Sequence, residues 1–283
     1  MFVHAHPDDE TLATGGTIAH YAAEPDTEVT LVTCTLGEEG EVIGPDLQLL
    51  VTAEADQLGG YRMAERAAAC AALGVTDHRY LGGAGRWRDS GMALAGYGVR
   101  ATARLAMHPR AFSAPGAFDA EVEALVAVLE EVRPQVVVSY AEDGGYGHPD
   151  HVRAHEITKA AVAEVPARLL YAVVGRGTLD AGLAALGAVP FRMPVTDELP
   201  SVPDAAVTTR LDVRDQHTRR IAAMRAHATQ VVVAPDERSF AMSNGVAQPI
   251  LPVEEYVAVD GRRSADLFGA DLSGADLFGD DVG

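Results

Sequence analysis

Positive charge is scarce in this 283-residue chain: 41 acidic residues face 22 basic ones, for a net charge of −19. Nucleic acids and anionic membranes both demand a basic surface, so neither is expected as a partner. Lysine is nearly absent, Lys159 being the only one. Cysteine is almost as rare. Cys34 and Cys70 are too few and too separate for a disulfide framework or a thiolate zinc site, and both read as small buried hydrophobes. No apolar run reaches membrane-spanning length, and no signal-peptide pattern precedes the first apolar run. A soluble, cytoplasmic protein is expected, its acidity serving solubility.

What the chain does have is apolar content, 48% of residues, ample for a sizeable core. Short β-branched runs alternate with longer amphipathic stretches, the pattern of βα units. Strands are expected at 2–5, 28–34, 78–81, 135–140 and 168–174, and helices at 10–22, about 48–73, 118–132 and 151–164. The fold class is therefore α/β, a Rossmann-like, mostly parallel sheet with helices on both faces and a smaller C-terminal subdomain. The first strand is short, so either the true start lies upstream of Met1 or this strand opens the chain. Beyond about 175 four prolines mark an irregular connection. It leads to a strand near 205–211, a helix near 213–227, and further strands at 231–233 and 251–253. The expected division is 1–174 as the catalytic domain, 175–260 as a subdomain completing the pocket, and 261–283 as an acidic tail. That tail holds three five-residue copies of Ala-Asp-Leu-X-Gly, too few to stack a solenoid core, and is expected to be loosely ordered.

One tripeptide occurs twice. His6-Pro7-Asp8 runs into Asp9, and His148-Pro149-Asp150 runs into His151. Each follows an expected strand, and open parallel sheets bind ligands beyond the carboxyl ends of their strands, where the strand order reverses. The glycines of Asp143-Gly144-Gly145-Tyr146-Gly147 allow close approach to a ligand. His6, Asp9 and His151 make a His₂-Asp donor set with one position open, which suits zinc. Asp8 is then free to take a proton from a water whose pKa the metal lowers toward ~7. Tyr146 or His148 stands ready to stabilise an oxyanion. The plainer reading has Asp8 or Asp9 capping a helix and the later histidines sitting idle in a loop. Two such loops at two strand ends favour the metal site. His155, one turn past His151, competes as a ligand but is expected on the helix surface. His4 is expected in the core or behind the ligands. His20, His78, His108, His217 and His227 lack partner spacing, and Glu10 suits a helix start by dipole alone.

His-Ala-His-Pro-Asp-Asp-Glu at 4–10 and Gly-Tyr-Gly-His-Pro-Asp-His at 145–151 resemble the LmbE-like zinc deacetylases, which include the N-acetylglucosaminyl-phosphatidylinositol de-N-acetylases. The stretches at 34–44, 57–62, 81–92 and 227–233 resemble more closely the branch of that family serving mycothiol biosynthesis. The likeness spans roughly 1–255, looser over 165–205, and leaves the repeat tail outside. It implies hydrolysis of the acetamide of N-acetylglucosaminyl-inositol to the amine and acetate. It places one metal ion, Zn²⁺, on His6, Asp9 and His151; a carboxylate-imidazole set also suits Fe²⁺. Asp8 becomes the general base and later the acid, and Tyr146 and His148 take the oxyanion role. Arg62 and Asp89, expected in polar loops, would hold sugar and inositol hydroxyls. The partner implied is a small glycoside; the oligomeric state is not implied. The sibling S-conjugate amidase carries a lysine where this chain has Ala13, which favours the deacetylase. A sugar-binding module without catalysis is the reading from another class, and the spare carboxylate of Asp8 argues against it.

Overall fold

The computed structural model describes residues 1–94, 101–104 and 106–269. In chain order it runs through β1 (Phe2–His4), α1 (Asp9–Ala22), β2 (Thr30–Thr33), α2 (Leu58–Leu73) and β3 (Asp77–Tyr80). A short hairpin of β4 (Ala93–Leu94) and β5 (Ala101–Thr102) precedes α3 (Phe118–Val132), β6 (Val136–Tyr140), α4 (Pro149–Glu164) and β7 (Arg168–Val173). The remainder holds α5 (Arg176–Ala184), β8 (Thr209–Asp212), α6 (His217–Ala226), β9 (Val232–Val233), β10 (Ser239–Ala241), β11 (Gln248–Pro249) and β12 (Val253–Ala258).

Seven strands form one sheet in the order β3-β2-β1-β6-β7-β12-β8. The five from β3 to β7 are parallel. The chain winds outward from β1 to β3 and then returns to lay β6 on the other side of β1. The carboxyl ends of β1 and β6 thus flank the point where strand order reverses, the place where such sheets bind ligands. The sheet is covered on both faces. Alternate residues of β6 explain how: Val136 and Val138 pack among α1, α2 and α6, while Val137 packs among α3 and α4. A strand buried on both sides has no polar face to show, hence its unbroken apolar run.

The expected α/β class holds, and several boundaries move. The helix expected from about 48 starts at Leu58; Gln48–Leu50 is a single 3₁₀ turn. Backbone bonds from Ala55 to Leu49 and from Gln57 to Leu50 fold the intervening loop back on itself, and Asp56 takes a φ of 52°. From the stretch beyond 175, β8 and β12 extend the same sheet, β12 running antiparallel between β7 and β8. β12 also reaches into α1. Glu254 accepts the N–H groups of Gly16 and Thr17, each at 2.8 Å, and Arg220 donates to the carbonyl of Leu12. A Cβ on Gly16 would lie 2.6 Å from that of Val213, so glycine is required there.

Residues 261–269, placed in the loose tail, include a packed segment. Ser264 bonds the carbonyl of Thr208, Leu267 is buried in the core, and its N–H donates to the Tyr21 hydroxyl at 3.0 Å. The second and third repeat copies lie outside the described residues. No helix among the described residues is long and apolar enough to cross a membrane.

Candidate metal centre

The sheet brings the two His-Pro-Asp loops together. His6 Nδ1 lies 3.3 Å from Asp9 Oδ2, His151 Nε2 lies 3.3 Å from Asp9 Oδ1, and the two imidazole nitrogens are 3.3 Å apart. Ligands held at about 2.0–2.1 Å around a tetrahedral zinc stand about 3.3 Å from one another. The two imidazole nitrogens stand at that spacing, and Asp9 meets each ring through a different carboxylate oxygen. The opposite ring nitrogens are already engaged. His151 Nδ1 faces the carbonyl of Gly144 at 3.1 Å, and His6 Nε2 faces Asp150 at 3.4 Å and Asp89 at 3.5 Å. Such outer partners fix the tautomer that leaves the inner nitrogen free for a metal. His6 with His148 and His151, and His6 with Asp89 and Asp150, also gather ligand atoms within 4.8 Å of one another. The contacts among His6, Asp9 and His151 are the closer ones, at 3.3 Å.

Local sequence explains the loop conformations. Pro149 occupies the first turn of α4 and His148 is its N-cap, accepting the Asp150 N–H on Nδ1. That bond puts the His148 proton on Nε2. Burial, with His6 and His151 close by, lowers the His148 pKa, so the ring is a neutral donor. Gly144 takes a φ of 64°, and a Cβ there would lie 2.6 Å from the Cβ of His151. The Tyr146 ring meets the His151 ring edge-on at 5.0 Å, and burial raises its phenol pKa, keeping it protonated.

The first loop is held differently. Asp8 stands at the N-cap of α1 with φ 128° and ψ −32°, yet its side chain makes no capping bond. Backbone outliers of this kind cost about 1–3 kcal/mol and persist only where the surroundings hold them. The carboxylate instead pairs with Arg62 at 3.1 Å. Burial raises its pKa to about 6 against the pull of Arg62, a value suited to a base working near neutrality. Asp9 is partly exposed; desolvation works to raise its pKa, but His151 and His6 hold it well below the usual carboxylate range. Tyr140 donates to Asp9 Oδ2 at 2.7 Å and stacks on His151 with ring centroids 4.2 Å apart.

Several residues are not where the sequence put them. Arg62 lies in α2 rather than a loop, buried and bonded to Asp8 and to the carbonyls of Gly37 and Pro7. Asp89 is buried beside His6 and accepts the Gly91 N–H at 2.8 Å. His155 is buried, not on the helix surface, and faces the carbonyl of Tyr140 at 3.0 Å. His227, set aside as background, meets Glu10 at 2.7 Å with both side chains buried. Glu10 is therefore engaged by far more than the helix dipole. His4, by contrast, is in the core as expected, between Thr14 and Tyr140. Asp150 and Tyr140 were not singled out. Asp150 stood in plain view inside the second His-Pro-Asp, whereas Tyr140 read only as a strand residue.

A cavity of about 430 Å³ opens at the other end of the sheet, among Tyr21, Asp26, Glu28, Arg133 and Phe268. Its lining carries no histidine, unlike the cluster at the carboxyl ends of β1 and β6.

The comparisons bear on the family and the fold. A curated relative from Actinosynnema mirum, named 1D-myo-inositol 2-acetamido-2-deoxy-alpha-D-glucopyranoside deacetylase, is 55% identical over 280 residues, covering 95% of both chains. A zinc-inhibited form of teicoplanin deacetylase shares the fold at a TM-score of 0.50 and 20% identity, over 92% of this chain and 98% of its own. So does the 4-carboxy-2-hydroxymuconate hydratase of a Pseudomonas putida strain, at 0.54 and 17%, over 94% and 98%. At such identities the likeness establishes the fold alone, and one fold hosting a deacetylase and a hydratase leaves the chemistry to the site. The family described as PIG-L, GlcNAc-PI de-N-acetylase, matches residues 1–162, more than half of the chain, and the chain belongs to that family.

Proposed function

We propose that this protein is a metal-dependent N-deacetylase. It hydrolyses the acetamide of 1D-myo-inositol 2-acetamido-2-deoxy-alpha-D-glucopyranoside to the free amine and acetate, a step of mycothiol biosynthesis. The observation that carries the reading is 55% identity over 95% of both chains to a relative named for that activity, in a chain whose two strand-end loops close a His₂-Asp triangle.

His6, Asp9 and His151 would hold the cation, with zinc the metal proposed and Fe(II) equally suited to the donors. Bound there, it would supply Lewis acidity toward the acetamide carbonyl and the attacking water. Asp8 takes the proton from that water and returns it to the departing nitrogen as the C–N bond breaks. His148, its proton fixed on Nε2, donates to the carbonyl oxygen as negative charge develops, and the Tyr146 phenol is a second donor. Each such donor is typically worth about 3–4 kcal/mol in the transition state. Arg62 holds Asp8 and through it bears on the substrate, while Asp89, beside His6, offers its carboxylate to a sugar hydroxyl. The stretch 175–260 completes the pocket wall, a role supported by Gln230 reaching the carbonyl of Glu41 at 3.0 Å. A cytoplasmic location and action without nucleic-acid or membrane partners belong to the same proposal.

Metal analysis coupled to an amine-release assay tests it. N-acetylglucosaminyl-inositol is expected to be turned over in preference to a mycothiol S-conjugate; the reverse preference sinks the assignment in favour of the amidase. Asp8→Asn is expected to keep the metal and lose kcat by roughly 10²–10⁴-fold, the usual reach of general acid–base catalysis.

A further inference from the structure

Two side chains that the reaction above does not use meet beneath the base. Glu10 and His227 are wholly buried, and His227 Nε2 lies 2.7 Å from Glu10 Oε1. The other carboxylate oxygen, Oε2, accepts the backbone N–H of Asp8 at 3.0 Å. Thr11 donates its hydroxyl to Oε1 at 2.6 Å. His227 is the C-cap of α6, its N–H bonded to Met224 and its carbonyl to Gln230 and Val231. The end of that helix therefore sets where its ring stands. The contact spans 217 residues of chain.

An aspartate at an N-cap normally turns its carboxylate onto the free N–H groups of the first helical turn. Asp8 occupies that position and does not do so. Its φ of 128° turns the side chain away from the helix, and the Glu10 carboxylate grips the peptide N–H that this turn presents. Glu10 in turn is held by a buried imidazole. A buried pair of this kind is weak evidence for stability, which leaves its effect on the neighbouring peptide to be explained.

We propose that His227 and Glu10 are positioning residues for Asp8. His227 fixes Glu10, Glu10 pins the strained Asp8 peptide, and the pinned peptide aims the carboxylate into the site instead of onto the helix. Without the pair, Asp8 relaxes into an ordinary helix cap and the base is misdirected. This rests on the reading of Asp8 as the base, and the test separates the two.

The experiment is a double-mutant cycle on the metal-loaded enzyme, with kcat, KM and metal content measured for each variant. His227→Leu is expected to lower kcat on the order of 10²-fold, the effect of an ångström's misplacement, with KM and metal content unchanged. His227→Gln keeps a donor for Glu10 and should recover most of the loss. In the Asp8→Asn background, adding His227→Leu should change the residual rate by no more than about twofold. An equal loss in both backgrounds, or a fall in metal content that accounts for it, overturns the positioning role while leaving the base in place. Near-native turnover by Asp8→Asn alone overturns both. If His227→Leu does not fold, Glu10→Gln takes its place in the cycle, with the same pattern expected, because one amide oxygen cannot serve His227, the Thr11 hydroxyl and the Asp8 N–H together.

Discussion

The two His-Pro-Asp loops look alike in sequence and are built in opposite ways. The second holds itself. Gly144 lends its carbonyl to His151, Asp150 lends its N–H to His148, and both contacts lie within eight residues. The first is held from outside. Tyr140 grips Asp9, Arg62 pairs with Asp8 from α2, and Glu10 leans on His227 near the other end of the chain. The difference follows from charge. The first loop brings three consecutive carboxyls together, Asp8 and Glu10 buried and Asp9 partly exposed between them. Buried carboxylates need partners, and a short loop cannot supply so many itself. The second loop brings two imidazoles, whose Nδ1 atoms its own backbone satisfies, and a single buried carboxylate, Asp150, which reaches outside the loop to His6 and the Ser90 N–H.

The largest effects should come from separating ligand from donor within the second loop. His151→Ala is expected to abolish metal binding and with it turnover, checked by metal content after dialysis. His148→Leu should retain the metal and lose kcat by about 10²–10³-fold, the cost of one oxyanion donor. Should His148→Leu lose its metal instead, the two histidines share the ligand role and the division fails.

A smaller effect is expected from the external support of the first loop. Tyr140→Phe removes the donor to Asp9 and leaves the Ala5 N–H, now bonded to that hydroxyl at 2.8 Å, without its acceptor. Metal affinity should fall by about 10–100-fold, as losing an outer-shell partner commonly does. The metal-free protein should lose about 1–3 kcal/mol from the unsatisfied N–H. Competition with a chelator and urea denaturation measure the two. A normal affinity would mean that Asp9 is oriented by the loop alone.

This contrast also explains what was legible. The meeting of His6, Asp9 and His151 could be read because both loops follow apolar runs whose periodicity marks strands, and the sheet does the rest. The contacts of the second loop were implicit in its glycines and Pro149. Those of the first were not, because nothing in local spacing links Glu10 to a histidine 217 residues on. His155 is a different kind of miss. It lies four residues after His151 on α4, so the two share a helix face. A ligand facing the sheet carries its neighbour inward with it, and the burial could have been inferred. The helix begun ten residues early failed because 48–57 has helical composition but folds back through its own backbone.

The smallest effect tests whether partners or burial alone set the ionisation of these carboxyls. Glu121 on α3 is wholly buried, and neither of its oxygens has a hydrogen-bond partner. Arg153 approaches no closer than 3.8 Å. Burial therefore raises its pKa to about 8 against Arg153, with Asp150 and Glu156 adding to the rise. Asp89, buried as deeply, is held low by His6 and by its hydrogen bonds. A carboxyl whose pKa is higher folded than unfolded favours the folded state while both forms are protonated. That contribution is full below about pH 4.5 and is lost as the pH climbs toward 8. Glu121→Gln carries no such term. Native and variant should unfold alike near pH 4, and the variant should become the more stable by about 1–3 kcal/mol at pH 8. The measurement is the difference in thermal midpoint across that range, in which the other titrating groups cancel. A difference that stays constant with pH would mean that Glu121 is ionised in the fold, and that Arg153 at 3.8 Å is partner enough.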